Sequence, residues 1–286
     1  MTPETILSPG TLYVVATPIG NLADITYRAV AVLDEVQLIA AEDTRHSARL
    51  LHHYGINTPC IALHEYNERE QAAKLVERLD SGVSIALISD AGTPLISDPG
   101  FHLVSATRER GLRVIPIPGP SAILAALSVS GLPVDRFCFE GFLPARASAR
   151  QKRLQMLADE TRTLVFYESP HRVCATLQQM KETFGTERQA VIARELTKTF
   201  ETIHGDTLEK LSAWIAGDSN RRRGEFVLLV RGATKYRSGA GINAEAQRAV
   251  EILAAELPSR QAAELAAKIT GEKKNRLYRH IIGDKQ

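Results

Sequence analysis

The chain has 286 residues, of which 44% are apolar and 24% charged, and its formal net charge is +2. This is the composition of a folded globular protein with room for two domains. Its three scattered cysteines, Cys60, Cys138 and Cys174, fit neither a disulfide framework nor a thiolate metal site, and they favour a reducing compartment. The first residues lack the basic region of a signal peptide, and no apolar run reaches the roughly 18 residues of a membrane span. We therefore expect a cytoplasmic protein without a membrane partner.

Strand-like runs alternate with helix-like runs over the first part of the chain. Short β-branched runs that mostly end at Gly, Pro or Asp occupy residues 11–18, 36–43, 60–66, 83–90 and 112–119. Amphipathic or small-residue helices closed by glycine are predicted at residues 68–82, 99–111 and 120–131. Continuous apolar strands are covered on both faces, as in a parallel or mixed sheet. The pattern predicts an α/β domain over residues 1–131.

A second series of the same kind follows without a Pro- or Ser-rich linker. Its predicted strands are residues 136–144, 162–170, 188–197 and 224–232. The helices predicted to separate them are residues 149–159, 171–185 and 207–217. This predicts a second α/β domain over residues 132–233. Two small α/β domains joined tightly usually bind their ligand in the cleft between them.

The composition changes after residue 231. Residues 232–243 have the Gly, Ser and charge content of a linker. Three short helices are predicted beyond it, near residues 244–256, 259–270 and 272–283, and they resemble a helix-turn-helix module over residues 240–286.

The charge is unevenly distributed between the two ends of the chain. Residues 221–286 hold 14 Lys and Arg against 7 Asp and Glu, whereas the first 220 residues hold 21 against 26. An acidic body with a basic end predicts that this end binds a polyanion. A solvated helical tail is the alternative.

Three unusual turns follow predicted strands of the first domain. VATPIGN (15–21) combines proline, glycine and asparagine, ISDAGTPLISDPG (88–100) holds two Asp, two Gly and two Pro, and IPIPGPSA (115–122) presents Ser121 at a helix start. Open α/β sheets place their ligands at the carboxyl ends of strands, and a merely structural turn rarely needs so many constrained residues. We expect these turns to bind a ligand.

Together with EDTR (42–45) and FYESPHR (166–172), these turns resemble the tetrapyrrole methylase superfamily of S-adenosylmethionine-dependent methyltransferases. The similarity extends over the whole chain and is greatest to the group that 2′-O-methylates a cytidine of small-subunit ribosomal RNA. It implies two α/β domains with the methyl donor in the cleft between them, no metal, and a homodimer. The ATPIG and SDAG sequences depart from the GxGPG and GGDP of tetrapyrrole enzymes, which makes a tetrapyrrole substrate less expected.

The resemblance also implies which residues contact the donor. The positions of this sequence that match the donor-binding positions of the superfamily are Pro18, Ser89, Asp90, Thr93, Ser121, Ala122, Tyr167 and Leu196. Asp90 would meet the amino-acid part of the donor, and Tyr167 would lie close to the adenine.

A ribose hydroxyl is a weak nucleophile, so a base or a charge that favours the alkoxide is needed. Carboxylates at the ends of predicted strands are the candidates: Asp43, with its neighbour Glu42, and Glu195, with Lys198 nearby. Asp43 and Glu195 are the catalytic candidates, although such carboxylates are more often caps or salt-bridge partners.

Several cations are candidates for phosphate contacts, because a guanidinium matches a phosphate bidentately. We expect RNA contacts from Arg45, Arg194 and Lys198 in the α/β part and from Lys273, Lys274, Arg276 and Arg279 in the last helix. Leu277, Tyr278 and Ile281 would face the other two helices. The run Arg221–Arg222–Arg223 is either solvated or a further phosphate contact, and the adjacent His52 and His53 have no third ligand at metal spacing.

Three functions remain open at this point. The leading hypothesis is a 2′-O-methyltransferase of small-subunit ribosomal RNA, either free or in the assembled subunit. The alternatives are a small-molecule methylase of the same fold and a non-catalytic RNA-binding assembly factor. The basic C-terminal module argues against the first alternative, and the intact donor turns argue against the second.

Overall fold

The computed structural model describes residues 7–234 and 244–283. The chain divides into two units, Met1–Ala233 and Thr234–Gln286. Residues 235–243 of the predicted linker lie outside the described residues, as do residues 240–243 and 284–286 of the predicted C-terminal module. The domain boundaries at residues 131 and 233 stay a prediction.

All five strands that the sequence predicts in the first region are present, and they form one parallel sheet. They are β1 (Thr11–Val15), β2 (Leu38–Ala41), β3 (Cys60–Ala62), β4 (Ile85–Ile88) and β5 (Arg113–Ile117). Their order is β3-β2-β4-β1-β5, and every pairing is parallel. Because β2 and β4 are buried along their whole length, they carry the continuous apolar sequences that a sheet covered on both faces requires.

Five helices follow these strands. They are α1 (Tyr27–Glu35), α2 (Thr44–His53), α3 (Glu68–Asp80), α4 (Phe101–Glu109) and α5 (Ala122–Val129). Helices α1 and α2 pack on one face of the sheet, and α3 and α4 pack on the other. The Thr26 hydroxyl caps α1 by accepting a hydrogen bond of 3.1 Å from the Ala29 amide, an interaction worth about 1 kcal/mol.

The second sheet is mixed. Its strands are β6 (Phe137–Phe142), β7 (Thr163–Glu168), β8 (Gln189–Arg194), β9 (Thr202–Thr207) and β10 (Phe226–Val230), in the order β6-β7-β10-β8-β9. Strands β6 and β7 are parallel, and the other pairings are antiparallel. The sequence analysis missed β9, whose residues TIHGDT have little apolar content because the strand lies at the sheet edge.

Helices cover both faces of the second sheet. Helices α6 (Ala147–Met156), α7 (Val173–Phe184) and α8 (Leu208–Ala216) pack on one face. The other face is covered by α5, whose Ile123, Ala126 and Leu127 pack against Val165 and Val227. Helix α5 follows the last strand of the first sheet, so this packing joins the two sheets into one unit.

Two of the three arginines before β10, Arg221 and Arg222, make structural contacts with α8. Arg221 Nη1 donates a hydrogen bond of 2.8 Å to the Trp214 carbonyl, and the Arg221 guanidinium lies over the Trp214 ring, 4.7 Å from its centre. Arg222 donates to the Ile215 and Ala216 carbonyls. These bonds satisfy carbonyls at the end of α8 that have no partner within the helix. Arg223 is exposed.

The C-terminal unit contains the three predicted helices, α9 (Ala244–Glu256), α10 (Ser259–Thr270) and α11 (Lys274–Gly283). Its core is built from alanines of α9 and α10 together with Leu277 and Ile281. Gly271, with a φ of 72°, ends α10 in the left-handed conformation that glycine adopts most readily. The prediction that Tyr278 faces the other helices is wrong, because this side chain is 39% exposed.

Candidate active site

The three glycine- and proline-rich turns meet at the carboxyl edge of the first sheet. Thr17 and Gly92 exchange backbone hydrogen bonds of 2.9 and 3.0 Å. The Thr17 hydroxyl donates to the Ser89 carbonyl at 3.1 Å, and the Thr93 hydroxyl donates to the Pro120 carbonyl at 3.2 Å. The turns after β1, β4 and β5 therefore form one hydrogen-bonded surface, with the half-buried Pro18 and Ser121 in it.

The turn after β4, residues 89–100 and here called the β4 loop, has an unusual backbone. Two of its non-glycine residues have positive φ angles, Leu95 at 74° and Ser97 at 71°. Gly100, at a φ of 128°, has no room for a side chain, because a Cβ there would lie 2.8 Å from Leu87 Cδ2. Backbone conformations of this kind cost free energy and are concentrated in binding and catalytic loops.

Three carboxylates come together at this edge. Glu42 follows β2, and Asp90 and Asp98 belong to the β4 loop. The Asp43 amide donates a hydrogen bond of 3.1 Å to Asp90 Oδ1, and the Asp90 amide donates one of 3.4 Å to Glu42 Oε2. The Ser89 side chain acts to lower the pKa of Asp98, against the larger effect of burial, and its hydroxyl donates a hydrogen bond of 3.4 Å to the Ala91 carbonyl. The hydrogen bonds thus hold acidic side chains of two strand ends together.

Burial and mutual repulsion make these carboxylates unusual acids. Burial, aided by the negative charges of Glu42 and Asp90, raises the pKa of Asp98 to about 6. Burial also raises the pKa of Glu42, and the charge of Asp90 acts in the same direction. A cation placed among these groups would relieve both effects.

Asp43, the first catalytic candidate, is in a different situation. It caps α2 by accepting a hydrogen bond of 2.9 Å from the Arg45 amide, and it forms an ion pair of 3.1 Å with the Arg45 guanidinium. These side-chain and backbone hydrogen bonds from Arg45 lower the pKa of Asp43 to about 2. Asp43 is therefore a weak base that holds the start of α2 and orients Arg45.

The second sheet contributes an aromatic cluster around Tyr167. Tyr167 lies near the end of β7, and its ring contacts those of Phe139 and Phe142 with centroids 5.0 and 5.5 Å away. Burial raises the pKa of Tyr167 to about 12, and the negative charge of Asp98 acts in the same direction. A Cβ at Gly141 of β6 would lie 3.4 Å from Ser97 Oγ, so this part of the second sheet approaches the β4 loop.

The turn after β8, residues 195–201 and here called the β8 loop, closes against the turn after β1. The Thr197 hydroxyl accepts a hydrogen bond of 3.1 Å from the Asn21 amide. A Cβ at Gly20 would lie 2.5 Å from Lys198 Cγ, so the two loops are in close contact. Leu196 is buried in the cluster that includes α5 and β10, against which Ala122 also packs. The β8 loop of the second sheet therefore lies against the donor turns of the first sheet.

The second catalytic candidate, Glu195, lies in an ion-pair network. Lys198 Nζ is 2.9 Å from Glu195 Oε1 and 2.8 Å from Glu225 Oε2, and the Glu225 amide donates to Glu195 Oε1 at 2.9 Å. Burial alone would raise the pKa of Glu195, but the hydrogen bonds from Lys198 and the Glu225 amide outweigh it and lower the pKa. Lys198, predicted to contact RNA, is thus held between two carboxylates.

Comparison with known proteins assigns the family. The family model of Tetrapyrrole (Corrin/Porphyrin) Methylases matches residues 11–212, and that of the RsmI C-terminal HTH domain matches residues 240–284. Ribosomal RNA small subunit methyltransferase I of Pseudomonas aeruginosa is 58% identical over 276 residues, which are 96% of this chain and 98% of the relative. Its counterpart in Escherichia coli O157:H7 is 54% identical over 275 residues, 96% of each chain. The chain belongs to the ribosomal RNA small subunit methyltransferase I family. The predicted resemblance is confirmed.

Solved structures show that the fold of this methyltransferase family is shared more widely. The methyltransferase CobJ aligns with a TM-score of 0.58 and 22% identity, covering 80% of this chain and 97% of its own. The cobalamin biosynthetic enzyme cobalt precorrin-4 methyltransferase, CbiF, aligns with a TM-score of 0.58 and 14% identity, covering 78% and 95%. These similarities confirm the predicted tetrapyrrole-methylase fold of the α/β part.

Arg194, predicted to contact RNA, has several backbone partners in this member of the family. Its guanidinium donates to the carbonyls of Arg223, Asn220 and Phe200 at 2.6, 3.0 and 3.3 Å. These bonds fix the β8 loop to the segment before β10. A phosphate contact by Arg194 stays a prediction.

The basic side chains of α11 are also engaged. Lys274 pairs with Glu264 at 2.5 Å, Arg276 pairs with Glu272 at 3.4 Å, and Arg279 Nε donates to the Asn275 carbonyl at 3.3 Å. Lys273 also has an interaction partner in the structure. Contacts of these four cations with RNA stay a prediction.

The sequence analysis did not assign two acidic residues that shape the site. Asp98 belongs to the ISDAGTPLISDPG motif (88–100). This motif contains no basic residue that could neutralise Asp98, and that absence could have indicated an unpaired acid. Glu68, 6% exposed, accepts hydrogen bonds of 3.0 and 2.7 Å from the Gly100 and His102 amides and so ties α3 to the end of the β4 loop. No sequence signal distinguishes Glu68 from other acids in a first helical turn.

Over residues 7–234 and 244–283, no three His, Cys, Asp or Glu side chains are grouped as metal ligands would be. The same residues include no helix with the length and apolar character of a membrane span.

Proposed function

We propose that this chain, a ribosomal RNA methyltransferase by family, transfers a methyl group from S-adenosylmethionine to the 2′-hydroxyl of a cytidine in small-subunit ribosomal RNA. The observation that carries the proposal is the family similarity, which extends through both sheets and through the C-terminal helices. A small-molecule methylase would have no use for the C-terminal helices, and the cobalamin biosynthetic enzyme among the structural neighbours shares only the fold.

The acidic edge of the cleft suits this donor. Glu42, Asp90 and Asp98 repel one another, and a cationic ligand relieves that repulsion. S-adenosylmethionine carries its methyl on a positively charged sulfonium, which makes that methyl electrophilic. The residues proposed to hold the donor are Pro18, Ser89, Asp90, Thr93, Ser121, Ala122, Tyr167 and Leu196.

We propose Asp98 as the group that accepts the proton of the ribose hydroxyl. Its carboxylate interacts electrostatically with Glu42, Asp90 and Tyr167, and its pKa of about 6 lets it bind a proton near neutral pH while starting ionised. Asp43 and Glu195, the candidates from the sequence, have lowered pKa values because each is held by a cation and a backbone amide. They serve better as positioning residues, Asp43 for α2 and Glu195 for the β8 loop.

Product analysis tests the proposed reaction. The purified chain is incubated with methyl-labelled donor and either free 16S ribosomal RNA or assembled small subunits, and the product is hydrolysed in alkali. A 2′-O-methyl removes the nucleophile that cleaves the adjacent phosphodiester, so we expect the label in one alkali-resistant dinucleotide that contains cytidine. Label in ordinary mononucleotides would mean a base methyltransferase. Transfer to a porphyrin but not to RNA would favour the small-molecule alternative.

We also propose that α11 holds the RNA backbone through Lys273, Lys274, Arg276 and Arg279. The Lys274–Glu264 ion pair is exposed and contributes little free energy, so a phosphate can replace Glu264 as the partner of Lys274. Reversing the charge of Lys273, Lys274 and Arg276 should flatten the salt dependence of RNA affinity, because fewer counterions are released. An unchanged slope would assign α11 a structural role instead.

The homodimer and the cytoplasmic location are further proposals, and the resemblance to the family and the scattered cysteines, respectively, are their support. Sedimentation velocity at micromolar concentration tests the first, and cell fractionation tests the second.

A further inference from the structure

Helix α2 has an unusual charge composition. Between Thr44 and His53 it contains two arginines, three histidines and no acidic residue. The first 220 residues are acidic as a whole, so this helix contrasts with its surroundings. Its basic and imidazole side chains are Arg45, His46, Arg49, His52 and His53.

The packing of α2 turns these side chains toward solvent. Ser47, Leu50 and Leu51 are buried, and Leu51 belongs to the core beneath the helix. All five basic and imidazole residues are exposed. Arg45, Arg49 and His53 are spaced by four residues and therefore share one face, which extends over about 12 Å at 1.5 Å per residue.

The position of α2 connects this face with the site. The helix begins directly after Glu42 and Asp43, at the carboxyl end of β2, where the acidic edge lies. Burial raises the pKa of Glu42 and the charge of His46 acts against it, which places His46 near that carboxylate. The basic face thus starts at the cleft and leads away from it.

On the opposite face of the first sheet, two cations have carboxylate partners. There, Lys74 pairs with Glu70 at 2.6 Å, and Arg110 pairs with Asp80 at 3.3 Å. Within the part of the chain that the structure describes, α2 has one ion pair, between Arg45 and Asp43, and the Arg45 side chain is 91% exposed. The exposed Arg49, which has no ion pair within the described residues, and the exposed Arg45 beside it complement a polyanion.

We infer that the exposed face of α2 binds backbone phosphates of the ribosomal RNA next to the target nucleotide. This inference rests on the proposed function and specifies where its substrate lies on the α/β part. Contacts of this kind position the RNA without reading its sequence, while the cleft selects the nucleotide. An RNA strand bound to α2 would have its next nucleotides at the acidic edge and Asp98.

Arg49 provides the test, because it is exposed and lies in the middle of this face. The full-length variants are Arg49→Glu, Arg49→Lys and, as a matched control on α3, Arg78→Glu, an exposed arginine on the other face of the sheet. Affinity for 16S ribosomal RNA is measured between 50 and 300 mM salt, and affinity for S-adenosylmethionine is measured by calorimetry.

We expect Arg49→Glu to weaken RNA binding about tenfold at low salt and to lower the slope of log affinity against log salt by about 1. Arg49→Lys should bind nearly as the wild type, and donor affinity should be the same in all variants. An equal loss in Arg78→Glu would show a general charge effect and overturn the inference, as would an unchanged Arg49→Glu.

The outcomes separate this inference from the proposed function. If Arg49→Glu binds RNA normally while the wild-type chain methylates a ribose, the inference fails and the function stands. If RNA binding depends on Arg49 but the label appears on a base, the ribose proposal fails and the RNA surface stands. A loss of binding to assembled subunits alone, with free RNA unaffected, would mean that α2 contacts a ribosomal protein and would overturn the inference.

Discussion

The β4 loop and the β8 loop follow strands of the two sheets and share a strained backbone, but their carboxylates are in opposite states. Leu95 and Ser97 in the first have positive φ angles, as do Glu195 and Thr197 in the second. In the β4 loop, Asp98 has a raised pKa, with Glu42 and Asp90 as its charged neighbours. In the β8 loop, Glu195 has a lowered pKa because Lys198 and the Glu225 amide bind it.

The difference separates a reactive loop from a structural one. A carboxylate without a cation is destabilised in its charged form, so it favours both a cationic ligand and a proton. A carboxylate already paired with a lysine has little tendency to take up either. The strain of the β8 loop therefore serves to hold Leu196 and Thr197 against the donor turns, whereas that of the β4 loop presents acids to the cleft.

The largest effect on activity is expected from a substitution of Asp98, and its absence would contradict the comparison of the two loops. Asp98→Asn cannot accept a proton, and we expect kcat/KM at pH 8 to fall by about 10²- to 10⁴-fold. In the wild-type chain the ionised fraction of Asp98 rises with pH through about 6, so kcat/KM should rise over the same range. The variant should lack that limb of the pH profile.

The control for this prediction is Glu195→Gln, which keeps the shape of the side chain in the β8 loop. We expect it to retain most of the rate and the limb near pH 6. A variant Asp98→Asn with the wild-type pH profile, or a Glu195→Gln variant without the limb, would assign the base to the other loop.

The next effect concerns the contact between the β8 loop and the turn after β1. In Gly20→Ala the new methyl would lie 2.5 Å from Lys198 Cγ and 2.9 Å from Thr197 Oγ1, so the loops must separate. We expect a loss of about 1–3 kcal/mol in the free energy of unfolding, measured by urea denaturation, together with weaker donor binding. The matched control is Gly217→Ala, where the new methyl makes an ordinary contact of 3.4 Å. Equal losses in both variants would show that the loops are not tightly packed.

The sequence predicted the strands and the clustering of the donor turns because both follow from local chemistry. Apolar runs such as those of β2 and β4 indicate buried strands directly, and parallel strands bring their carboxyl ends to one edge. The polar edge strand β9 and the helices α1 and α2 were not predicted. Strand β9 has an edge position, and half of the residues of α2 are basic or imidazole, so neither of these two has an apolar pattern that stands out.

The candidate site could be predicted only in part, because pairing is a property of three-dimensional neighbours. Asp43 and Glu195 satisfied the rule that bases lie at strand ends, but the rule cannot reveal the ion pairs with Arg45 and Lys198. Likewise, the net charge indicated α11 as the basic surface. In the structure Lys274 and Arg276 have carboxylate partners, and the less obvious α2 presents its cations to solvent.

The smallest effect, and the one that sharpens the comparison most, is expected from Lys198→Met. This change leaves Glu195 and Glu225 without their cation, and we expect a loss of about 1 kcal/mol in the free energy of unfolding at pH 7, since the pair is partly exposed.

The pH dependence of this loss follows from the two pKa shifts. The pKa of Glu195 is lowered from its ordinary value of 4.5, so its contribution to stability is complete above that pH and is lost as pH falls through the lowered value. The pKa of Lys198 is raised from 10.5, so its contribution is complete below that pH and is lost as pH rises through the raised value. The difference between wild type and variant in urea denaturation should therefore be constant between about pH 5 and 10 and shrink at both ends. A difference confined to pH values near 6 would mean that Lys198 acts on Asp98 instead, and the two loops would then be one electrostatic unit.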